Sequence, residues 1–397
     1  MKKQNSILLF QLFIVLFSAF LVAMINYWNS NMIHVETSNE QNLTLKISSI
    51  FLVVFCSLCW LLFYKKKKGI NIHSICQCWC IIMPVVIVQS LSMSGIGSLF
   101  STILWPLLFE MGFLFSKQIS NSVKSFRRLF LLIGIWGIFL LFSHKAVHNT
   151  QSNTIYFSLL TLPWWLVLKG GKYQSFVLVV FTILAIFSLK RSSMLAIVLC
   201  WTIYVILKFK LKKSKLIGVV SIMAVLIVGT IIFTVADDKL GGQLTERVNR
   251  EETAEGRNRL GIYILTMEMI LSSSNQELLL GHGHFAVKKN SIFNVSAHND
   301  FLEVIYDYGL IILVLYLCLW IYVFRKCISL YKQKSELLFP YAVSLCIFLV
   351  LSNVSHLILY TSYFNFLVLF WGCVEGYCEK KNKLKMILNE NRIIDIS

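Results

Sequence analysis

Residues 281–312 read GHGHFAVKKNSIFNVSAHNDFLEVIYDYGLII. They close the one long polar segment of an otherwise apolar chain and run straight into a hydrophobic stretch. Three of the eight histidines, His282, His284 and His298, lie here. Asp300 followed by Glu303 reads as a capping box that opens a helix. Asp300, Glu303 and Asp307 recur at i, i+3 and i+7 and share one helix face, while the opposite face is apolar and continues into the hydrophobic run. This pattern places His298 and Asn299 at a helix N-terminus on a membrane surface, with the rest of the chain as the scaffold that holds them at the outer face.

The chain outside this stretch agrees. Of its 397 residues, 57% are hydrophobic and 14% charged, with four prolines and no low-complexity tract. Apolar runs of roughly 20 residues recur along its length, the pattern of a polytopic helical membrane protein. Spans are expected near 6–26, 44–64, 72–92, 95–116, 129–143, 155–168, 173–189, 193–207, 216–235, 308–324, 337–355 and 358–377. The first follows MKKQN without a small-residue cleavage site and reads as retained. The fold class is therefore all-α, with about 12 transmembrane helices. With the N-terminus inside, 26 of the 37 Lys and Arg fall in inner segments. This bias predicts cytoplasmic N- and C-termini and an even number of spans. Three regions result: membrane helices over 1–235, a large outer loop with short helices over 236–307, and membrane helices with a cytoplasmic tail over 308–397.

The formal charge of +18 would suit nucleic acid if it were clustered, but it is spread over alternate loops. The eleven cysteines sit almost wholly in apolar runs and none lies in the long loop, which excludes a disulfide framework or a thiol nucleophile there. Cys76, Cys78 and Cys80, spaced by two, point to different sides of a helix and make a poor metal site. Neither a P-loop nor a dinucleotide fingerprint is present. No cofactor or metal is expected.

Within the loop, residues 241–255 are polar with mixed charge and read as a short solvated helix. Residues 257–272 carry Leu260, Tyr263, Ile264, Met267, Ile270 and Leu271 at helical spacing, which suits a helix lying on the membrane or against the bundle. Four groups bear on chemistry. A helix N-terminus disfavours imidazolium, so His298 is suited to accept a proton; the plainer alternative is a surface or capping histidine. Arg191, beside Lys190 between two apolar runs, is either an interfacial anchor or a fork for phosphate oxygens. For Arg257 and Arg259 a solvated charge is the default reading and a second phosphate contact the sharper one; they oppose the dipole of the helix they open, which favours a role beyond helix stability. His282 and His284 around Gly283 read as a glycine turn with incidental histidines, and His356 near the end of span eleven as a local hydrogen-bonding residue.

The segments GRNRLGIYILTMEMI (256–270), LLLGHGHFAV (278–287) and AHNDFLEVIYDYGLI (297–311) resemble the O-antigen ligase and polymerase superfamily in order and spacing. The shared pattern is a Gly-Arg start, a helix, a Gly-x-Gly turn at Gly281 and Gly283, then His298-Asn299, nine residues, and Gly309-Leu310-Ile311. KRSSMLAI (190–197) is similar to the family's arginine stretch after an earlier span, with Lys190 where a small polar residue is usual. Ile312 stands where a small residue is common. The Gly-Arg pair selects Arg257 as the family arginine, whereas the aromatic four residues on, Tyr263, selects Arg259.

The resemblance implies a metal-independent glycosyltransferase of the bacterial inner membrane, acting at its outer face. It moves a glycan from undecaprenyl diphosphate to an acceptor hydroxyl. His298 is implied as general base, Arg191 with Arg257 or Arg259 as diphosphate-binding groups, and Lys190, Asn299, Gly281, Gly283 and Gly309 as supporting residues. The partners implied are the lipid-linked glycan donor, a glycan or lipid A–core acceptor and membrane lipids, with no nucleic acid. A single sizeable outer loop favours a ligase over the rival reading, a polymerase extending the glycan on its carrier. A glycolipid flippase would need charged or broken helices at mid-membrane, and apart from Glu110 the spans are nearly free of charge.

Overall fold

The computed structural model describes residues 3–32, 39–64, 96–148, 152–167, 172–210, 259–283, 285–292, 294–354 and 361–394, with isolated positions between 234 and 242. The expected spans at 72–92 and 216–235, the polar helix at 241–255, and Cys76, Cys78, Cys80, Arg257, His284 and His356 lie outside the described residues. Among the described residues every regular element is α-helical: α1 (Lys3–Met32), α2 (Asn39–Tyr64), α3 (Ile96–Gln118), α4 (Ser122–His148), α5 (Ile155–Leu166), α6 (Lys172–Phe187), α7 (Arg191–Lys210), α8 (Arg259–Leu271), α9 (Asn275–Leu280), α10 (Ala286–Asn290), α11 (Asp300–Lys332), α12 (Leu338–Val354) and α13 (Thr361–Ile394).

Among the described residues, five stretches are long and apolar enough to cross a membrane: Gln4–Tyr27, Leu43–Phe63, Ser122–Val147, Arg191–Lys208 and Asp300–Lys332. Ile155–Leu166, Lys172–Phe187 and Leu338–Val354 are shorter apolar helices. Their outer surfaces are apolar as well. Leu8, Val15 and Val22 form an exposed row on α1, Leu132, Ile135, Phe139 and Phe142 another on α4, and Val314, Leu317, Ile321 and Phe324 a third on α11. Bare apolar rows of this extent are stable in lipid and not in water.

The chain forms two compact units, residues 1–129 with 364–397, and residues 130–363. In the first, Phe10 and Phe13 of α1 pack on Phe115 and Phe126. Ser6 reaches Gln118 at 3.3 Å, so α1 and α3 are antiparallel. Gly372 and Gly376, one turn apart on α13, lie against the carbonyls of Phe109 and Phe113 on α3. A Cβ at either would come within 2.1 or 2.2 Å of a carbonyl oxygen. This small-xxx-small contact brings two helices together side by side, and its register makes α3 and α13 parallel.

In the second unit α7 packs on α6 and α12. Trp201 of α7 donates to Thr182 of α6 at 2.9 Å. Tyr204 meets Phe339 of α12 with ring centroids 5.3 Å apart, and Cys200 meets Cys346. The reversed order of these two contacts makes α7 and α12 antiparallel. Arg191 lies thirteen residues before Tyr204, and Asn353 fourteen after Phe339. At about 1.5 Å per residue both are roughly 20 Å from that crossing, at the same end of the pair.

Candidate active site

The loop helices carry a small core of their own. Ile270 of α8, Ala286 and Val287 of α10, Ala297, and Tyr306 of α11 are buried together, with Met269, Leu278, Leu302 and Ile305 packed on them. The expected helix over 257–272 is present as α8, but the face it buries is Ile262, Thr266 and Ile270. Leu260, Ile264, Met267 and Leu271 form an exposed ridge on the other side. The α8 helix is apolar on two faces, and among the described residues only one of them is buried.

The cap of α11 falls one residue earlier than the capping-box reading. The residue at the cap is Asn299, whose Oδ1 accepts from the backbone N–H of Phe301 (3.0 Å) and Leu302 (3.2 Å). Asp300, Glu303 and Asp307 do share a face, and that face is fully buried. Each carboxylate collects a donor. Asp300 accepts from the Tyr316 hydroxyl at 3.1 Å, Glu303 from the N–H of His298 at 3.2 Å, and Asp307 from the N–H of Val287 at 2.9 Å. Buried carboxylates are tolerated where backbone donors meet them in this way.

Gly309 breaks α11. Its backbone (φ 81°, ψ 176°) lies in a region essentially closed to residues with a side chain. The helical ladder stops there, which frees the carbonyls of Tyr306 and Asp307. They accept instead from the N–H groups of His282 and Gly283, both at 2.9 Å. Gly281 adopts nearly the same backbone (φ 82°, ψ 169°) and faces the kink. A Cβ on Gly281 would meet the Asp307 oxygen at 2.3 Å, and one on Gly309 the Leu279 oxygen at 2.3 Å. The two glycines of the motif thus form one backbone clasp between loop and helix.

His282 is a working part of this clasp and corrects the reading of it as incidental. Its ring stacks on Tyr306 with centroids 4.0 Å apart. Nδ1 faces the Tyr306 carbonyl at 3.2 Å and Nε2 the Ser273 hydroxyl at 3.3 Å. Glu277 is 3.8 Å away and closes a capping box with Ser274 at the start of α9. The S-x-x-E spacing of residues 274–277 is the sequence signal for this box. Hydrogen bonds from the Ser274 side chain and backbone hold the Glu277 carboxyl below its ordinary range.

His298 precedes the cap with a left-handed backbone (φ 57°) and is partly exposed. Its carbonyl accepts from the Tyr263 hydroxyl at 3.3 Å, and the same hydroxyl donates to the Asn353 carbonyl at 2.7 Å. The Asn299 amide lies 3.5 Å from that carbonyl. Burial raises the Tyr263 hydroxyl above the usual tyrosine range, while Arg259, one turn earlier on α8, and Asn299 pull the other way. Tyr263 therefore stays a donor through neutral pH. Tyr263 and Asn299 meet the C-terminal end of α12 at Asn353, with His298 beside them and Arg259 one turn earlier on α8.

Arg191 opens α7 at that same end. The turn before it is knotted by buried serines. Ser188 Oγ accepts from the Lys190 N–H at 3.2 Å and lies 3.1 Å from Ser193 Oγ, and Leu189 is left-handed at φ 54°. Lys190 lies over the Tyr156 ring at 5.9 Å, and the Tyr156 hydroxyl meets Ser192 at 2.5 Å. Among the described residues no group of three or more His, Cys, Asp and Glu side chains is arranged to hold a metal ion.

Residues 176–317 match the family model described as O-antigen ligase. The match runs from α6 through the loop helices into α11 and leaves out Tyr156 and Asn353 of the groups described above. The matched residues include all four segments whose motifs resemble that family. No curated protein matches the chain.

Proposed function

We propose that this chain, whose residues 176–317 match the O-antigen ligase family model, transfers a glycan from undecaprenyl diphosphate to a sugar hydroxyl of lipid A–core at the outer face of the bacterial inner membrane. What supports the reading is that His298 and Tyr263, with Arg259 one turn before it, lie at the C-terminal end of α12, the end at which Arg191 opens α7. A histidine and two arginines thus belong to one end of this helix pair.

His298 takes the proton of the acceptor hydroxyl as its oxygen attacks the anomeric carbon. The bond from that carbon to the diphosphate oxygen breaks, and the electron pair leaves with the diphosphate. Arg191, with Arg259 or Arg257, neutralises the departing charge; a planar guanidinium matches two phosphate oxygens at once. The placement of Arg259 one turn before Tyr263 favours it as the family arginine. Lys190, spent on Tyr156, steadies the turn that presents Arg191. The reaction needs no metal in this scheme. The exposed ridge of α8 rests on the outer leaflet, where a polyprenyl donor lies.

The twelve-span arrangement with both termini inside is part of the proposal. Alternating spans require α1 and α3 to be antiparallel, α3 and α13 parallel, and α7 and α12 antiparallel, and the helices run so. The test of the site is transfer by variants matched for their amount in the membrane. His298→Ala is expected to lose about 10²–10⁴-fold in turnover, and Arg191→Ala about 10²–10³-fold. Arg191→Lys keeps the charge and loses the fork, so it too is impaired. Full activity of Arg191→Lys would reduce Arg191 to a charged anchor.

A further inference from the structure

We propose that Glu303 and Tyr263 are positioning residues that set the direction of the His298 imidazole; this rests on His298 being the group that takes the acceptor proton. His298 sits in a left-handed conformation that residues with a side chain seldom adopt. Such a backbone persists only where its surroundings over-determine it, and here both flanking peptide groups are held. On the N-terminal side, the His298 N–H donates to Glu303 Oε1 at 3.2 Å. On the C-terminal side, the His298 carbonyl accepts the longer arm, 3.3 Å, of a bifurcated bond whose one Tyr263 proton is shared with the Asn353 carbonyl at 2.7 Å.

Both holding groups are themselves fixed. Glu303 is fully buried in the first turn of α11. Tyr263 is tied to the end of α12 through the Asn353 carbonyl at 2.7 Å. The next residue, Asn299, is locked by its two capping bonds. With N–H and carbonyl both pinned, the Cα–Cβ direction of His298 is set, and the ring can turn only about its own side-chain bonds. An apolar residue at 303 would fill the buried space more cheaply than a carboxylate. What the carboxylate adds is an acceptor aimed at the His298 peptide. General-base transfer depends on such placement, because a misplacement of about 1 Å costs on the order of 10²-fold in rate.

The experiment measures initial rates in membranes containing wild-type protein, His298→Ala, Glu303→Ala, Glu303→Gln or Tyr263→Phe. The donor is glycolipid extracted from cells lacking the protein, and the acceptor is lipid A–core. Glu303→Ala and Tyr263→Phe are expected to lower kcat by about 10- to 100-fold and to leave the donor KM within about twofold, since positioning of a base leaves donor binding intact. Glu303→Gln is expected to restore most of the turnover, because its amide oxygen can accept the same N–H. Wild-type kcat in Glu303→Ala, a loss confined to KM, or Glu303→Gln as poor as Glu303→Ala overturns the proposal. Should Glu303→Ala not reach the membrane, Tyr263→Phe, which removes one hydroxyl from a partly exposed residue, decides by the same criterion. An inactive His298→Ala beside wild-type kcat in both Glu303→Ala and Tyr263→Phe overturns the clamp alone. An active His298→Ala overturns the base assignment and the clamp with it.

Discussion

At the scale of single residues, the sharpest constraint is the pairing of Gly281 and Gly309. Each has a backbone that only glycine adopts readily, and each lies where a Cβ would strike the other segment. Gly309→Ala should destabilise the second unit by about 1–3 kcal/mol from backbone strain alone, and it should loosen the His282 and Gly283 hydrogen bonds to the kink. Hydrogen exchange at those two amides measures this directly, with faster exchange than in wild type as the expected result. The motif glycines were legible in the sequence. Their mutual contact was not, because it joins positions 28 apart and depends on a helix break that no local pattern announces. Distance also hid the stacking of His282 on Tyr306, 24 positions on and in another helix.

At the scale of elements, periodicity located α8 to within two residues of its ends but not which apolar face turned inward. A helix that is apolar on two sides gives the same spacing whichever side packs, and here the loop core took Ile262, Thr266 and Ile270. The start of α11 was displaced by one residue for a related reason. Asn299 and Asp300 are both good capping residues, and burial of Asp300 against Tyr316 selects Asn299 as the cap. The short α9 helix depends on its capping box. Ser274→Ala should cost about 1 kcal/mol of local stability, seen as fraying of residues 274–280. The Glu277 carboxyl is held below its ordinary pKa by Ser274. Its contribution is therefore present above the ordinary glutamate pKa and is lost as pH falls through the depressed value. Acidification should fray α9 in wild type and have less effect in Ser274→Ala. Equal fraying of both proteins at neutral pH would remove the capping box as a cause.

At the scale of the whole molecule, the apolar runs and the distribution of Lys and Arg made the membrane class readable from composition and spacing. Those cues depend only on the bilayer and not on how helices meet. What they left open was the contact pattern, which rests on small-residue packing at Gly372 and Gly376 and on polar pairs such as Trp201 with Thr182. The proposed orientation predicts that a cysteine at Lys288, placed in a cysteine-free background, reacts with a membrane-impermeant thiol reagent on intact spheroplasts. A cysteine at Lys383 should react only after the membrane is opened. Labelling of Lys383→Cys from outside would invert the scheme and remove His298 from the outer face.

The most direct test of the central claim, glycan transfer driven by His298, is the glycan profile of cells carrying His298→Ala in place of the wild-type protein, separated by size and by lipid anchor. The account predicts long chains stranded on undecaprenyl diphosphate and lipid A–core left bare. Single repeat units on the carrier or the core would instead identify a polymerase using the same site. A profile indistinguishable from wild type, with His298→Ala present in the membrane at normal amounts, would contradict the account.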